Sequence, residues 1–197
     1  MHMRLILVRH GETDYNVQKL NQGWADSKLT EKGIEQARAV GQRLKDEKVD
    51  VAYFSDLLRT RESAEEILKI IKLPTQVLQW LRERNLGEFE HKALGSMKVF
   101  VQTHGLDLLS LKPKGGESIL EFRERVKQGF DTLSKKEKGR TVLLITHGGV
   151  IAQLLLHVLK IDDKEYDHYH PENCALTILD VDERGAKPHL INCVKHL

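Results

Sequence analysis

The chain is short of cysteine. Cys174 and Cys193 are its only two, both toward the C-terminus. Two distant thiols make neither a disulfide framework nor a zinc-knuckle spacing, and this usage points to a reduced, cytoplasmic compartment. Long hydrophobic runs are missing as well, so no segment reaches the roughly 20 apolar residues that a membrane-spanning helix needs. Met1-His2-Met3-Arg4 leads straight into a short apolar run, without the extended apolar region and small-residue cleavage site of a secretory leader. Charge of one sign is not in excess: 31 Lys plus Arg against 29 Asp plus Glu leaves a net +2. That balance gives no sign of a nucleic-acid or polybasic membrane surface. There is no Gly-x-Ser-x-Gly elbow and no P-loop. Cys174 lacks an Arg at the spacing with which a cysteine phosphatase cradles phosphate.

What is present describes one globular domain over residues 1–197, with 40% hydrophobic and 30% charged residues. Leu5-Ile6-Leu7-Val8 and Thr141–Thr146 are short, continuously apolar runs of the kind buried on both faces of a parallel sheet. Val49–Phe54 and Thr75–Leu78 read as further strands, and Leu176–Leu179 and Leu190–Val194 as late ones. Helices are expected from Thr30 to about Asp46, from a Ser55-Asp56 cap to about Ile71, and from a Ser118/Glu121 capping box to about Lys136. A weaker helix is expected over Leu94–His104 and a strongly apolar one over Val150–Leu159, with Leu81–His91 a loop. Strands alternating with helices predict an α/β fold: a three-layer αβα sandwich around a mostly parallel sheet. Ligands of such sheets bind outside the carboxyl ends of the strands.

Ten histidines are many for this length, and two of them end strands in the same way. Val8-Arg9-His10-Gly11 closes one apolar run and Ile145-Thr146-His147-Gly148 closes another. If those strands are neighbours, both imidazoles reach one crevice. Arg59 falls in the first turn of a helix, where the helix dipole disfavours a cation. An anion held at that helix end relieves the conflict. Arg9, beside His10, adds a second guanidinium. Two Arg, two His and helix N-termini describe a phosphate site without a metal.

Leu7-Val8-Arg9-His10-Gly11-Glu12-Thr13 resembles the signature of the histidine phosphatase superfamily, which includes cofactor-dependent phosphoglycerate mutases and fructose-2,6-bisphosphatases. The resemblance continues in order through Asn16, Gln22-Gly23-Trp24, Leu29–Gly33, Gln36-Ala37, Ser55–Thr60, Leu81–Gly87, Gly115–Ser118 and Thr146–Gly149. It implies a phosphoglycerate mutase-like fold with a short cap-like insertion at about 88–116. It implies His10 as nucleophile, forming a phosphohistidine. Arg9, Arg59 and His147 would hold phosphoryl oxygens, and Glu83 would be general acid and base. Gly11, Thr13, Asn16, Gln22, Gly23 and Gly148 would complete the substrate-binding set. The expected reaction is metal-independent hydrolysis of a small phosphate ester such as a sugar phosphate or phosphoglycerate. No cofactor, nucleic acid or membrane is implied, and a homodimer is an admissible assembly.

Within the family the pattern most resembles the fructose-2,6-bisphosphatase and broad-specificity phosphatase branch. Phosphoglycerate mutase, α-ribazole phosphatase and an inactive phosphate-ester-binding module are the alternatives. The family's mutases carry a long basic insertion between the acid and the Gly-Glu-Ser segment; here 117 − 83 = 34 positions separate Glu83 from Glu117. That favours hydrolysis. Lys92, Lys112 and Lys114 are candidates to meet a second phosphate or a carboxylate, or else plain surface lysines. One departure stands out: His91 occupies a position where the family usually has Gly, either narrowing the substrate mouth or facing solvent. His168-Tyr169-His170 has metal-like spacing without a third ligand and reads as a loop, and Asp180-Val181-Asp182 reads as a turn.

Overall fold

The computed structural model describes residues 2–197. Six strands form one sheet: β1 (Met3–Arg9), β2 (Val51–Phe54), β3 (Thr75–Val77), β4 (Thr141–Thr146), β5 (Leu176–Asp182) and β6 (Gly185–Cys193). Their order across the sheet is β3-β2-β4-β1-β5-β6. The first four are mutually parallel, and β5 and β6 close one side as antiparallel strands.

Side chains alternate between the faces of a strand, and in β1 both faces are apolar. Leu5 and Leu7 enter a core with Phe122, Val126, Phe130, Val150 and Leu154. Ile6 and Val8 enter the opposite core with Ala37, Val40, Leu44 and Ile67. All four β1 side chains are fully buried, and each contributes about 1.5–3 kcal/mol from burial. A strand that is apolar on both faces requires helices on both faces. This is the expected three-layer αβα sandwich.

The helices that cover one face are α2 (Glu31–Leu44) and α3 (Leu58–Leu68); α5 (Ile119–Lys136) and α6 (Gly148–Leu159) cover the other. Thr30 caps α2 by accepting from Gly33 N–H, and Ser118 with Glu121 forms the capping box of α5. The cap of α3 differs from expectation. Its N-cap is Leu57, without a side-chain cap bond. Ser55 instead accepts from Leu57 N–H and meets His147, so its hydroxyl serves the strand ends rather than the helix. Residues 88–116 carry α4 (Ser96–His104) and lie against the segment after β1, with Leu94 N–H donating to Lys19 O at 2.8 Å.

Other departures are local. Thr13 opens a short helix, α1 (Asp14–Gln18), through a capping box with Asn16. The expected loop around His168 contains α7 (Tyr166–Tyr169). Asp180-Val181-Asp182 continues β5; the turn falls at Glu183-Arg184, and β6 starts at Gly185 rather than Leu190. His189 meets Asp180 at 2.7 Å across this hairpin, a cross-strand pair that favours the longer ladder. No helix among the described residues is long and apolar enough to cross a membrane.

Candidate active site

The parallel strands set the site. Arg9 of β1 is paired with Thr146 of β4, and Phe54 of β2 with Ile145. The next residues, His10, His147 and Ser55, therefore emerge side by side at the carboxyl ends of three neighbouring strands. The His10 and His147 rings lie 5.4 Å apart between centroids, tilted by 60°. A cavity of about 420 Å³ opens over them, lined by Arg9, His10, Asn16, Gln22, Gly23, Arg59 and Glu83 from the expected set.

His10 is almost fully buried. Its Nδ1 is 2.8 Å from Gly11 O. A carbonyl only accepts, so Nδ1 carries the proton and Nε2 keeps its lone pair. Burial, reinforced by Arg59 and Arg9, holds the His10 pKa well below the ordinary imidazole value. His147 lies wholly buried beneath the cavity floor rather than on its wall, and is lowered likewise by burial and Arg59. Its Nε2 meets Ser55 Oγ at 3.0 Å while Nδ1 has no partner among the described residues.

Arg59 is the largest fully buried side chain. It donates to Gly23 O at 2.8 Å and Ala25 O at 3.1 Å, which anchors the loop after α1. Burial pushes its pKa down to about 10, so it remains a cation. Arg9 donates to Pro171 O at 2.7 Å. Both guanidiniums keep a buried Nε without a partner. Such an orphan donor is costly unless an anion answers it.

Glu83 is held twice by backbone. Its Oε1 accepts from Arg84 N–H and its Oε2 from Gly149 N–H, each at 2.9 Å. Its own carbonyl accepts from Trp24 Nε1 and from Arg125, whose guanidinium also takes Trp80 O, Arg82 O and the Glu117 carboxylate. A Cβ at Gly149 would overlap the Glu83 carboxylate, so glycine there is a condition of the acid's position.

The remaining expected residues divide. Asn16 accepts at Oδ1 from Thr13 N–H and from Asn173, leaving its NH₂ toward the cavity. Gln22 accepts from Ser27 at Oε1 and likewise keeps its NH₂ free to donate. Thr13 does not line the cavity; it caps α1 and thereby aims Asn16. Gly11 also lies off the wall. Its N–H donates to Ser63, and a Cβ there would run into Gly33 O. Gly148 is the first residue of α6, where the N–H has no intrahelical acceptor.

Lys92, Lys112 and Lys114 do not reach the cavity. Lys92 lies over the Phe89 ring and Lys112 pairs with Glu121. His91 is exposed, takes a left-handed φ of 65°, and meets Tyr15. The left-handed backbone explains why glycine suits that position. Sequence reasoning missed Tyr15, Lys19, Arg84, Tyr166 and His170, all on the cavity wall. His170 lay in plain view in His168-Tyr169-His170. Among the described residues no three His, Cys, Asp or Glu side chains gather as a metal site.

The family model for the histidine phosphatase superfamily (branch 1) matches residues 5–194. The chain is 32% identical to the "Probable phosphoglycerate mutase GpmB" of Erwinia tasmaniensis, over 90% of this chain and 85% of that one. It is 33% identical to the metal-independent phosphoserine phosphatase of Arabidopsis thaliana, over 78% of this chain and 68% of that one. The crystal structure of the α-ribazole phosphatase from Shigella flexneri superposes with a TM-score of 0.86 at 27% identity, covering 97% of this chain and 96% of that one. None of these three bears the fructose-2,6-bisphosphatase name. A match spanning nearly every residue places the chain in the histidine phosphatase superfamily, branch 1, as an enzyme of the phosphatase class.

Proposed function

We propose that the protein is a metal-independent phosphomonoester hydrolase that works through a phosphohistidine on His10. One observation carries this reading. A buried, neutral imidazole with Nδ1 committed to Gly11 O shares one cavity with two guanidiniums and a carboxylate fixed by two backbone N–H groups.

In the first step His10 Nε2 attacks phosphorus, and the bond from phosphorus to the ester oxygen breaks. The Glu83 carboxyl group gives a proton to the departing alcohol. Arg9 and Arg59 neutralise charge on the non-bridging oxygens, and His147, Asn16 and Gly148 N–H add donors. Water then attacks the phosphohistidine while Glu83 takes its proton. The phosphorus–nitrogen bond breaks, inorganic phosphate leaves, and His10 is neutral again.

Hydrolysis is favoured over phosphoryl return because residues 88–116, read as a short cap, contribute only Leu94 to the cavity wall. Water therefore keeps access to the phosphohistidine. Likeness to the GpmB relative makes a mutase the second reading. A fructose-2,6-bisphosphatase is the least supported branch. A second phosphate would meet only Lys19 and Arg84, and Arg84 already donates to Glu117 O and Leu111 O.

The test is phosphate release in EDTA, for wild type and His10→Ala. The panel is 3-phosphoglycerate, phosphoserine, α-ribazole phosphate, fructose-2,6-bisphosphate and an aryl phosphate, with isomerised phosphoglycerate followed in parallel. Release that requires His10 and survives EDTA is the expected result. Isomerisation without net release would establish the mutase, and activity lost in EDTA would overturn metal independence.

A further inference from the structure

One imidazole on the cavity wall has no part in the steps above. His170 follows α7, and its only hydrogen bond among the described residues runs from its backbone N–H to Asp167 O. The residue is exposed to solvent and lines the cavity with Arg9, Glu83 and Tyr166. A Cβ at Gly148 would collide with Nε2 and Cε1 of that ring, so Nε2 stands directly over the first residue of α6. The next N–H of α6, on Gly149, is taken by Glu83. His170 thus sits where the anion-binding end of α6 meets the carboxylate that serves the leaving group.

Desolvation at the cavity wall, with Arg9 second, lowers the His170 pKa against the opposing pull of Glu83 and Asp167. A neutral imidazole keeps one N–H to donate. The side chain is exposed on its outer side, and its edge over Gly148 borders a cavity whose guanidiniums suit an anion. Accepting the phosphatase reading, we propose that His170 is a further substrate-contacting residue, whose ring N–H donates to a phosphoryl oxygen held at the head of α6, on the side facing Glu83. It would then tighten as charge builds on that oxygen, beyond the contacts of Arg9, Arg59 and His147.

The competing role is steric, with the ring simply covering Gly148. Three variants separate the two. His170→Phe keeps the bulk and removes the donor. His170→Gln restores an amide N–H near the Nε2 position, and His170→Ala removes both. Kinetics with an aryl phosphate and inhibition by orthovanadate are read together. His170→Phe and His170→Ala should each lose about tenfold or more in kcat/KM, and vanadate inhibition should weaken in step, as expected for a hydrogen bond to a charged group. His170→Gln should recover most of both. Wild-type kcat/KM and vanadate inhibition in His170→Phe would overturn the proposal. If the wild type hydrolyses no ester, the phosphatase reading fails, but calorimetric binding of inorganic phosphate still decides the role of His170. Weaker binding by His170→Phe than by wild type would support it. Equal binding, or no binding by the wild type, would overturn it.

Discussion

The Tyr15 hydroxyl and Nδ1 of His91 lie 2.5 Å apart, a hydrogen bond between residues 76 positions distant in the chain. Tyr15 forms part of the cavity wall, and His91 stands behind it. The side chain found where the family favours glycine is exposed to solvent, does not line the cavity, and meets the hydroxyl of a residue that does. The His91 backbone, at φ 65°, still obeys the glycine preference.

His91→Gly and His91→Ala should separate these two effects. Both lose the bond to Tyr15 and should change the ranking of esters to a similar extent. The glycine variant should be the more stable of the two by about 1 kcal/mol, since only alanine keeps the cost of a left-handed backbone. Paired denaturant titrations measure the difference, and equal stabilities would contradict it.

Glu83→Gln should distinguish esters by their leaving groups. An alkyl phosphate needs its alcohol protonated and should lose about 10²–10⁴ in kcat. An aryl phosphate departs as a weakly basic phenolate and should lose far less in its first step. Burst kinetics would then show the second step, in which water must be deprotonated, becoming limiting. Equal losses for both esters from the first turnover would remove Glu83 from the acid's role.

Gly149→Ala tests how that acid is held. Its methyl group would overlap the Glu83 carboxylate and force it off the Gly149 N–H. The expected result is a fall in kcat on the order of 10² for alkyl esters, with a small change in Tm. Unchanged kcat would mean that the carboxylate works from another position.

The buried imidazoles predict an acid limit. His10 and His147 titrate well below their ordinary value in the folded chain, whereas the unfolded chain takes up protons near pH 6.5. Below that pH the unfolded state binds more protons, so stability falls as pH drops, by up to about 1.4 kcal/mol per pH unit for each histidine. Above it neither group contributes a slope. Thermal unfolding of wild type and His147→Gln from pH 7.5 to 5 measures this, and the variant should show a shallower decline. A wild-type Tm that rises on acidification would reverse the sign.

The sheet was readable because it depends on uninterrupted apolar runs, and Leu5–Val8 and Thr141–Thr146, short and soon followed by His-Gly, read as strands buried on both faces. Two strands with the same ending put His10 and His147 in one crevice on the condition that the strands are neighbours, and the β1–β4 pairing meets that condition. What stayed hidden depends on contacts between distant segments. Arg125 grips the Glu83 loop from α5, where its sequence position shows only a charged helix residue. Ser55 resembles a helix cap until His147 is seen beside it. The His170 ring reaches the site only through the path of α7, and four residues of helix leave too weak a periodicity to announce themselves.

The alternation of Leu5 and Leu7 with Ile6 and Val8 between two cores has a bearing on how the catalytic pair could evolve. The oily side chains that fix the sliding position of β1 against β4 also fix the separation of His10 and His147, because both histidines are the next residue beyond a paired row. Deleting one residue inside β1 would move one imidazole along by a full step while exchanging the two interiors. Point replacements among Leu, Ile and Val leave the spacing untouched. The distance between the imidazoles is thus protected by greasy residues that touch no substrate, and sequence can drift widely around it as long as the count of residues does not.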